Sequence, residues 1–203
     1  MEKQLLVDYI PFDVSSQQIN ESISNNNGRL IVKGVLQRAN EKNQNGRIYP
    51  KGTLVREAKK YAKEQIKERR ALGELDHPES SVVNLNNVSH NILEMHWNND
   101  DLSGTIEILG TPAGNILKEL FKAGIKLGIS SRGLGSLKED DETGEDTAEV
   151  QPDFELIAFD FVSNPSTYGA FMQPMNEGSS KEEARVCGKY CKIESIINDI
   201  LRG

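Results

Sequence analysis

Three positions in this sequence carry side chains that together could run nucleophilic chemistry: a hydroxyl at Ser130, an imidazole at His77 and a carboxylate at Asp160. Ser130 and Ser131 end an alternating run, Ile125-Lys126-Leu127-Gly128-Ile129. Strand periodicity puts Ser131 on the apolar side with Ile125, Leu127 and Ile129, and Ser130 on the other with Lys126, Gly128 and Arg132. Gly128 leaves room beside Ser130. The following Arg132-Gly133-Leu134-Gly135 reads as a glycine-rich loop that could aim the backbone N–H groups of Ser131, Arg132 and Gly133 at a developing oxyanion. The bland alternative is a strand end running into a turn. His77 precedes Pro78, which favours extended geometry at the histidine. An imidazole titrates near neutrality, so it suits a base that activates a hydroxyl, although an exposed loop histidine fits the same residues. Asp160 lies between Phe159 and Phe161, with Phe154, Leu156, Ala158 and Val162 expected on its own face. A carboxylate there needs partners. It is an acceptor of backbone N–H bonds, a residue on a wet edge strand, or the group that orients a histidine.

Other reactive types have weaker patterns. His90 and His96 fall on one face of an expected strand, but with His77 they match no standard zinc spacing. Cys187 and Cys191 lack a second ligand pair and read as ordinary semi-buried thiols. No metal or cofactor is expected.

The elements that must position these residues follow from periodicity and turn chemistry. Residues 1–28 contain a short strand in LLVDYIPF and a polar stretch, QQINESISNNNG, that reads as a loop. Strands are expected over 29–40 and 125–131, a hairpin over 88–97 and 102–109, and a strand over 154–166. A turn spans 43–50. Leu54, Ala58, Tyr61, Ala62 and Ile66 predict a helix over 53–71 whose other face is basic, either simply solvated or a docking face for an acidic partner. Loop residues 73–80 carry His77. Thr111 and Pro112 open a second helix, with Ile116, Leu117, Leu120 and Phe121 as its buried stripe and Gly124 at its end. Nine acidic residues in 139–155 mark a solvated loop. Val186, Tyr190, Ile193, Ile197 and Ile200 predict a C-terminal amphipathic helix.

The chain has 203 residues, enough to bury a core without disulfide staples. Its net charge of -7 argues against general nucleic-acid binding. No apolar stretch approaches the roughly 20 residues of a membrane span, and the first residues lack the apolar core of a signal peptide. A reducing, cytoplasm-like compartment is expected.

The segments NGRIYP, ALGELDHP and GISSRGLGSL, in that order, resemble the prohead core proteases of large tailed bacteriophages, serine proteases of the assemblin-like group related in fold to the herpesvirus maturation proteases. The resemblance covers about residues 29–175. It implies an α+β fold with an assemblin-like β-barrel core flanked by helices. It also implies an enzyme inside the immature capsid, in the host cytoplasm, that cleaves scaffold and capsid precursor proteins and itself. Carried over by position, it gives His77 and Ser130, with Asp160 as the third member. The herpesvirus branch uses a second histidine instead, for which His90 or His96 is the candidate. Self-association of copies is an expectation by analogy.

The resemblance further implies cleavage after glutamate, with a small residue following and an aliphatic residue two before. Ile19-Asn20-Glu21-Ser22 fits, and Met175-Asn176-Glu177-Gly178 nearly fits. Arg132, Lys126 and Arg47 are the candidates for a basic glutamate-selecting pocket. The expected organisation is an N-terminal segment (1–28), a protease domain (29–175), a linker (176–180) and a C-terminal helix (181–203) that self-cleavage after Glu177 would remove. The competing expectation is a non-enzymatic capsid-assembly component that keeps the fold.

Overall fold

The computed structural model describes residues 3–12, 16–76, 78, 80–139 and 147–163. The expected linker, the C-terminal helix and the Glu177-Gly178 bond lie outside the described residues, as does His77 itself. Among the described residues, three sheets and three α-helices make a mixed α+β architecture. One sheet has the order β1-β7-β10, from Gln4–Phe12, Leu127–Gly135 and Glu155–Val162. A second has the order β2-β6-β5-β4, from Leu30–Arg38, Asp101–Ile108, Val88–Asn98 and Leu72–Glu74. A small third sheet orders β3-β9-β8, from Arg47–Ile48, Ala148–Val150 and Leu137–Glu139. Pairing is antiparallel except between β3 and β9.

The expected barrel is met only in part. The first two sheets join at one edge, where Leu75 bridges Phe161 in parallel and the Asp76 N–H donates to the Phe161 carbonyl at 2.7 Å. The ladders otherwise stay separate, so no closed barrel runs through the described residues.

Helix α1 (Ser16–Asn25) occupies a stretch expected to be a loop. Its polar composition hides a stripe of Ile19, fully buried, and Ile23, four residues on and packed on the same core. This helix also contains the Glu21-Ser22 bond, and the Ser22 hydroxyl is tied to the Ile31 N–H and carbonyl. Helix α2 (Lys51–Tyr61) buries Thr53, Leu54, Glu57, Ala58 and Tyr61, then passes into a π-helical turn over Ala62–Ile66. Helix α3 (Pro112–Lys122) starts as the sequence predicts, with the Thr111 side chain accepting from the Gly114 N–H. Gly124 follows it at φ +72°. Ile116 is a correction: it is exposed, and Ala113 and Gly114 join Leu117 and Phe121 on the buried face.

Strand β1 pairs along the whole of β7. The NGRIYP segment helps hold it there. Asn45 Nδ2 donates to the Val7 carbonyl at 2.8 Å and to Asp8 Oδ1 at 2.9 Å, Arg47 Nη1 reaches the same two oxygens, and the Tyr49 hydroxyl bonds the Asp8 carboxylate. Burial and the Asp8 charge push the Tyr49 phenol well above its usual range. Arg47 is thereby engaged with β1, which argues against the expected pocket role.

Candidate active site

Strand β7 lies between β1 and β10, and its register sets the site. Ser130 stands directly opposite Asp160 on β10 and Tyr9 on β1. Directly opposed residues share a face, and Arg132 lies two further along the same face. The other face, carrying Leu127 and Ile129, packs into the core with Phe159 and Phe161. Ser131 points that way as expected: its Oγ accepts from Gln37 Nε2 at 2.9 Å. Ser130, Arg132 and Asp160 are all fully buried.

Asp160 shares its face with Ala158, which opposes Arg132, but not with Leu156. A bulge between Leu156 and Ala158 puts Leu156 opposite Gly133, on the core side. One extra residue reverses the facing of everything before it. Glu57 on α2 satisfies the bulge, its Oε2 accepting the Leu156 N–H at 3.1 Å.

The carboxylate at Asp160 has found its partners. Arg132 Nε donates to Oδ2 at 2.8 Å and Nη2 to Oδ1 at 3.2 Å, a bidentate pair. The Glu74 N–H donates to Oδ1 at 3.0 Å. Arg132 Nη2 also reaches Glu74 Oε1 at 3.0 Å, and Nη1 reaches the Ser80 carbonyl at 2.5 Å. All three charged side chains are 0% exposed, so one cation is shared by two carboxylates away from the surface. Glu74 Oε1 accepts as well from the Asn84 N–H at 3.0 Å, while its Oε2 has no hydrogen-bond partner among the described residues. Nearby, burial and the Asp160 charge push the Tyr61 phenol up.

Two expectations about β7 change. The strand does not stop at Ser131 but continues to Gly135, so Ser131, Arg132 and Gly133 are strand residues paired on both sides rather than a glycine-rich loop. Gly133 is there for close approach: a Cβ would come within 2.4 Å of the Phe154 ring and 2.6 Å of the Glu155 carbonyl. Arg132 faces Asp160 and Glu74 at zero exposure, not a substrate pocket. Lys126, the remaining pocket candidate, is exposed just before β7.

The chain reaches Asp76 beside β10. Asp76 bonds the carbonyl of Phe161, the neighbour of Asp160, and adopts φ +69°. Aspartate tolerates this left-handed conformation, which turns the chain away from β4. His90 is committed elsewhere. Its Nε2–H donates to the Phe159 carbonyl at 2.9 Å, which fixes the tautomer, and its Nδ1 faces the Ser89 hydroxyl at 2.9 Å. Burial holds its pKa at about 4 against the opposing pull of Asp160. His96 is exposed, six residues further along β5 and so roughly 20 Å away. Among the described residues no cluster of three or more His, Cys, Asp or Glu side chains is arranged to hold a metal ion.

Glu74 is the site residue that sequence reasoning missed. Its segment read as loop, yet the strand β4 ends on it. The available signal was charge: Arg132 falls on the predicted face of Ser130 and needs acidic partners if buried.

Comparison with known proteins identifies the family and the fold. The family model described as prohead core protein serine protease matches residues 7–182. The prohead core protein protease of Enterobacteria phage T4 is 34% identical over 155 residues, which is 75% of this chain and 63% of the relative's length. The solved structure of the bacteriophage T4 capsid assembly protease superimposes with a TM-score of 0.69 at 30% identity, covering 81% of this chain and all of that one. The chain therefore spans somewhat under two thirds of the curated T4 relative, and with 176 of its 203 residues (7–182) inside the family model it belongs to the prohead core protein serine proteases.

Proposed function

We propose that this protein is a serine endopeptidase of capsid maturation, cleaving scaffold and capsid precursor proteins, and itself, after glutamate within the phage prohead in the host cytoplasm. Family membership supports the reaction class. The observation that carries the residue assignment is the register that puts Ser130 directly across from Asp160, with Asp76 bonded to the next residue, Phe161. In this reading His77 takes the Ser130 proton as Oγ attacks the scissile carbonyl. An acyl-enzyme forms, the protonated imidazole gives its proton to the leaving amine, and water then hydrolyses the ester. In this reading Asp160, already held by the Glu74 N–H and the Arg132 guanidinium, also accepts the imidazole N–H of His77 and keeps the ring in the tautomer that can take the Ser130 proton.

Self-processing after Glu21 requires α1 to unwind, because proteases bind substrate chains in extended form and this bond is helical. Glu177-Gly178 is the other proposed self-cleavage bond. One observation favours the second reading, an assembly component that keeps the fold without turnover: Ser130 has no exposure at all, so substrate must uncover it. An internally quenched peptide containing Ile-Asn-Glu-Ser separates the two. The serine reading expects cleavage after glutamate, reduced at least about 10³-fold in Ser130→Ala. Equal cleavage by wild type and Ser130→Ala removes the nucleophile assignment.

A further inference from the structure

Arg132 does more than neutralise Asp160. Its guanidinium binds the loop that carries His77 at both ends: Glu74, three residues before the histidine, through Nη2, and Ser80, three residues after it, through Nη1. Its remaining edge is fixed on the neighbouring strand by Asp160, whose Oδ1 also takes the Glu74 N–H. The far part of the same loop is tied in by the Asn84 N–H on Glu74 Oε1. A single planar fork two residues from Ser130 thus gathers β10, the end of β4 and the return of the loop.

We infer that Arg132 is the positioning residue that closes the His77 loop onto the Ser130 face, with Glu74 as its anchor on the loop side. The inference rests on the serine-protease reading for its kinetic consequence. It differs from that reading in assigning Arg132 to neither substrate nor oxyanion. The physical case is geometric. The guanidinium makes four hydrogen bonds to three partners in one rigid plane, whereas an ammonium has three donors on a flexible stem. Closing a loop of this length at both ends removes the freedom that would otherwise spread the imbedded base over many positions, and a displacement of about 1 Å at a reacting group costs on the order of 10²-fold in rate. Glu74 is fully buried with its Oε1 shared by Arg132 and Asn84.

The test uses the full chain and the quenched Ile-Asn-Glu-Ser peptide. Arg132→Lys keeps the charge and loses the fork. The expected result is a folded protein with kcat down about 10²-fold and KM within a few-fold. In a Ser130→Ala background the same change should speed hydrogen exchange over residues 75–87 and leave β5 and β6 protected. Glu74→Gln, which keeps an acceptor oxygen, should retain kcat within about tenfold, while Glu74→Met, which has none, should behave like Arg132→Lys. Wild-type kcat in folded Arg132→Lys overturns the inference, and so does a loss of kcat with unchanged exchange over 75–87. If Arg132→Lys does not fold, the Glu74 pair decides: equal kcat and equal loop exchange in the Gln and Met variants overturns it. The serine reading fails separately, through undiminished cleavage by Ser130→Ala, and the exchange measurement stands whatever that result.

Discussion

His90 and Asp160 are ionisable groups with no access to water, and they meet burial in opposite ways. Asp160 stays paired with a cation, while His90 gives up its charge and satisfies both ring nitrogens with neutral partners. Its pKa near 4 against an ordinary 6.5 ties stability to pH. Above pH 6.5 the ring is neutral in both folded and unfolded chains. As pH falls below 6.5 the unfolded chain takes up a proton that the folded one refuses, so stability is lost down to about pH 4, by about 2–3 kcal/mol from this residue. Urea unfolding at pH 7 and pH 4.5 checks this against His90→Gln: the stability gap between the two proteins should narrow by about that amount at the lower pH. A gap that does not change with pH would show that His90 is charged when folded. At this scale the sequence was informative about oddness. It marked Asp160 as a carboxylate in need of partners, but its principal partner is Arg132, which read as part of a substrate loop. Glycine neighbours suggested a turn, and only the register reveals that Arg132 faces Asp160's strand.

Element boundaries were legible where caps and periodicity were strong and obscure where glycine had two meanings. Thr111-Pro112 gave α3 its start, and the 88–98 and 101–108 hairpin fell where alternation placed it. Helix α1 escaped notice because two isoleucines in a Gln/Asn/Ser-rich stretch make a thin stripe. Strand β7 ran longer than expected because Gly133 and Gly135 serve packing under Phe154 rather than chain reversal. The two glycines differ in how tightly they are held. At Gly133 a methyl group meets the Phe154 ring at 2.4 Å and a backbone carbonyl at 2.6 Å, while at Gly135 its nearest contact is 3.1 Å. Gly133→Ala should therefore lose about 1–3 kcal/mol in chemical denaturation, and Gly135→Ala clearly less. The reverse order would mean that β7 does not lie against Phe154 as described.

Across the whole molecule, the two larger sheets meet where β4 leaves its own sheet and touches β10. That junction is where the buried charges gather and where the chain turns into the His77 loop. No local pattern could announce it, since it joins residues 74–80, 130–132 and 160–161. The family motifs did mark two of those segments, GELDHP and GISSRGLGS, so the sequence indicated which pieces matter without indicating that an arginine binds them together. The central claim is that Ser130, at this junction, is the nucleophile. Its most direct test is reaction with an alkyl fluorophosphonate, in which the serine Oγ–phosphorus bond forms as fluoride leaves, followed by intact mass and peptide mapping of the full chain. The account predicts one adduct, on Ser130, absent in both Ser130→Ala and His77→Ala. An adduct on Ser131, or active cleavage by a protein that takes no adduct at Ser130, would contradict it.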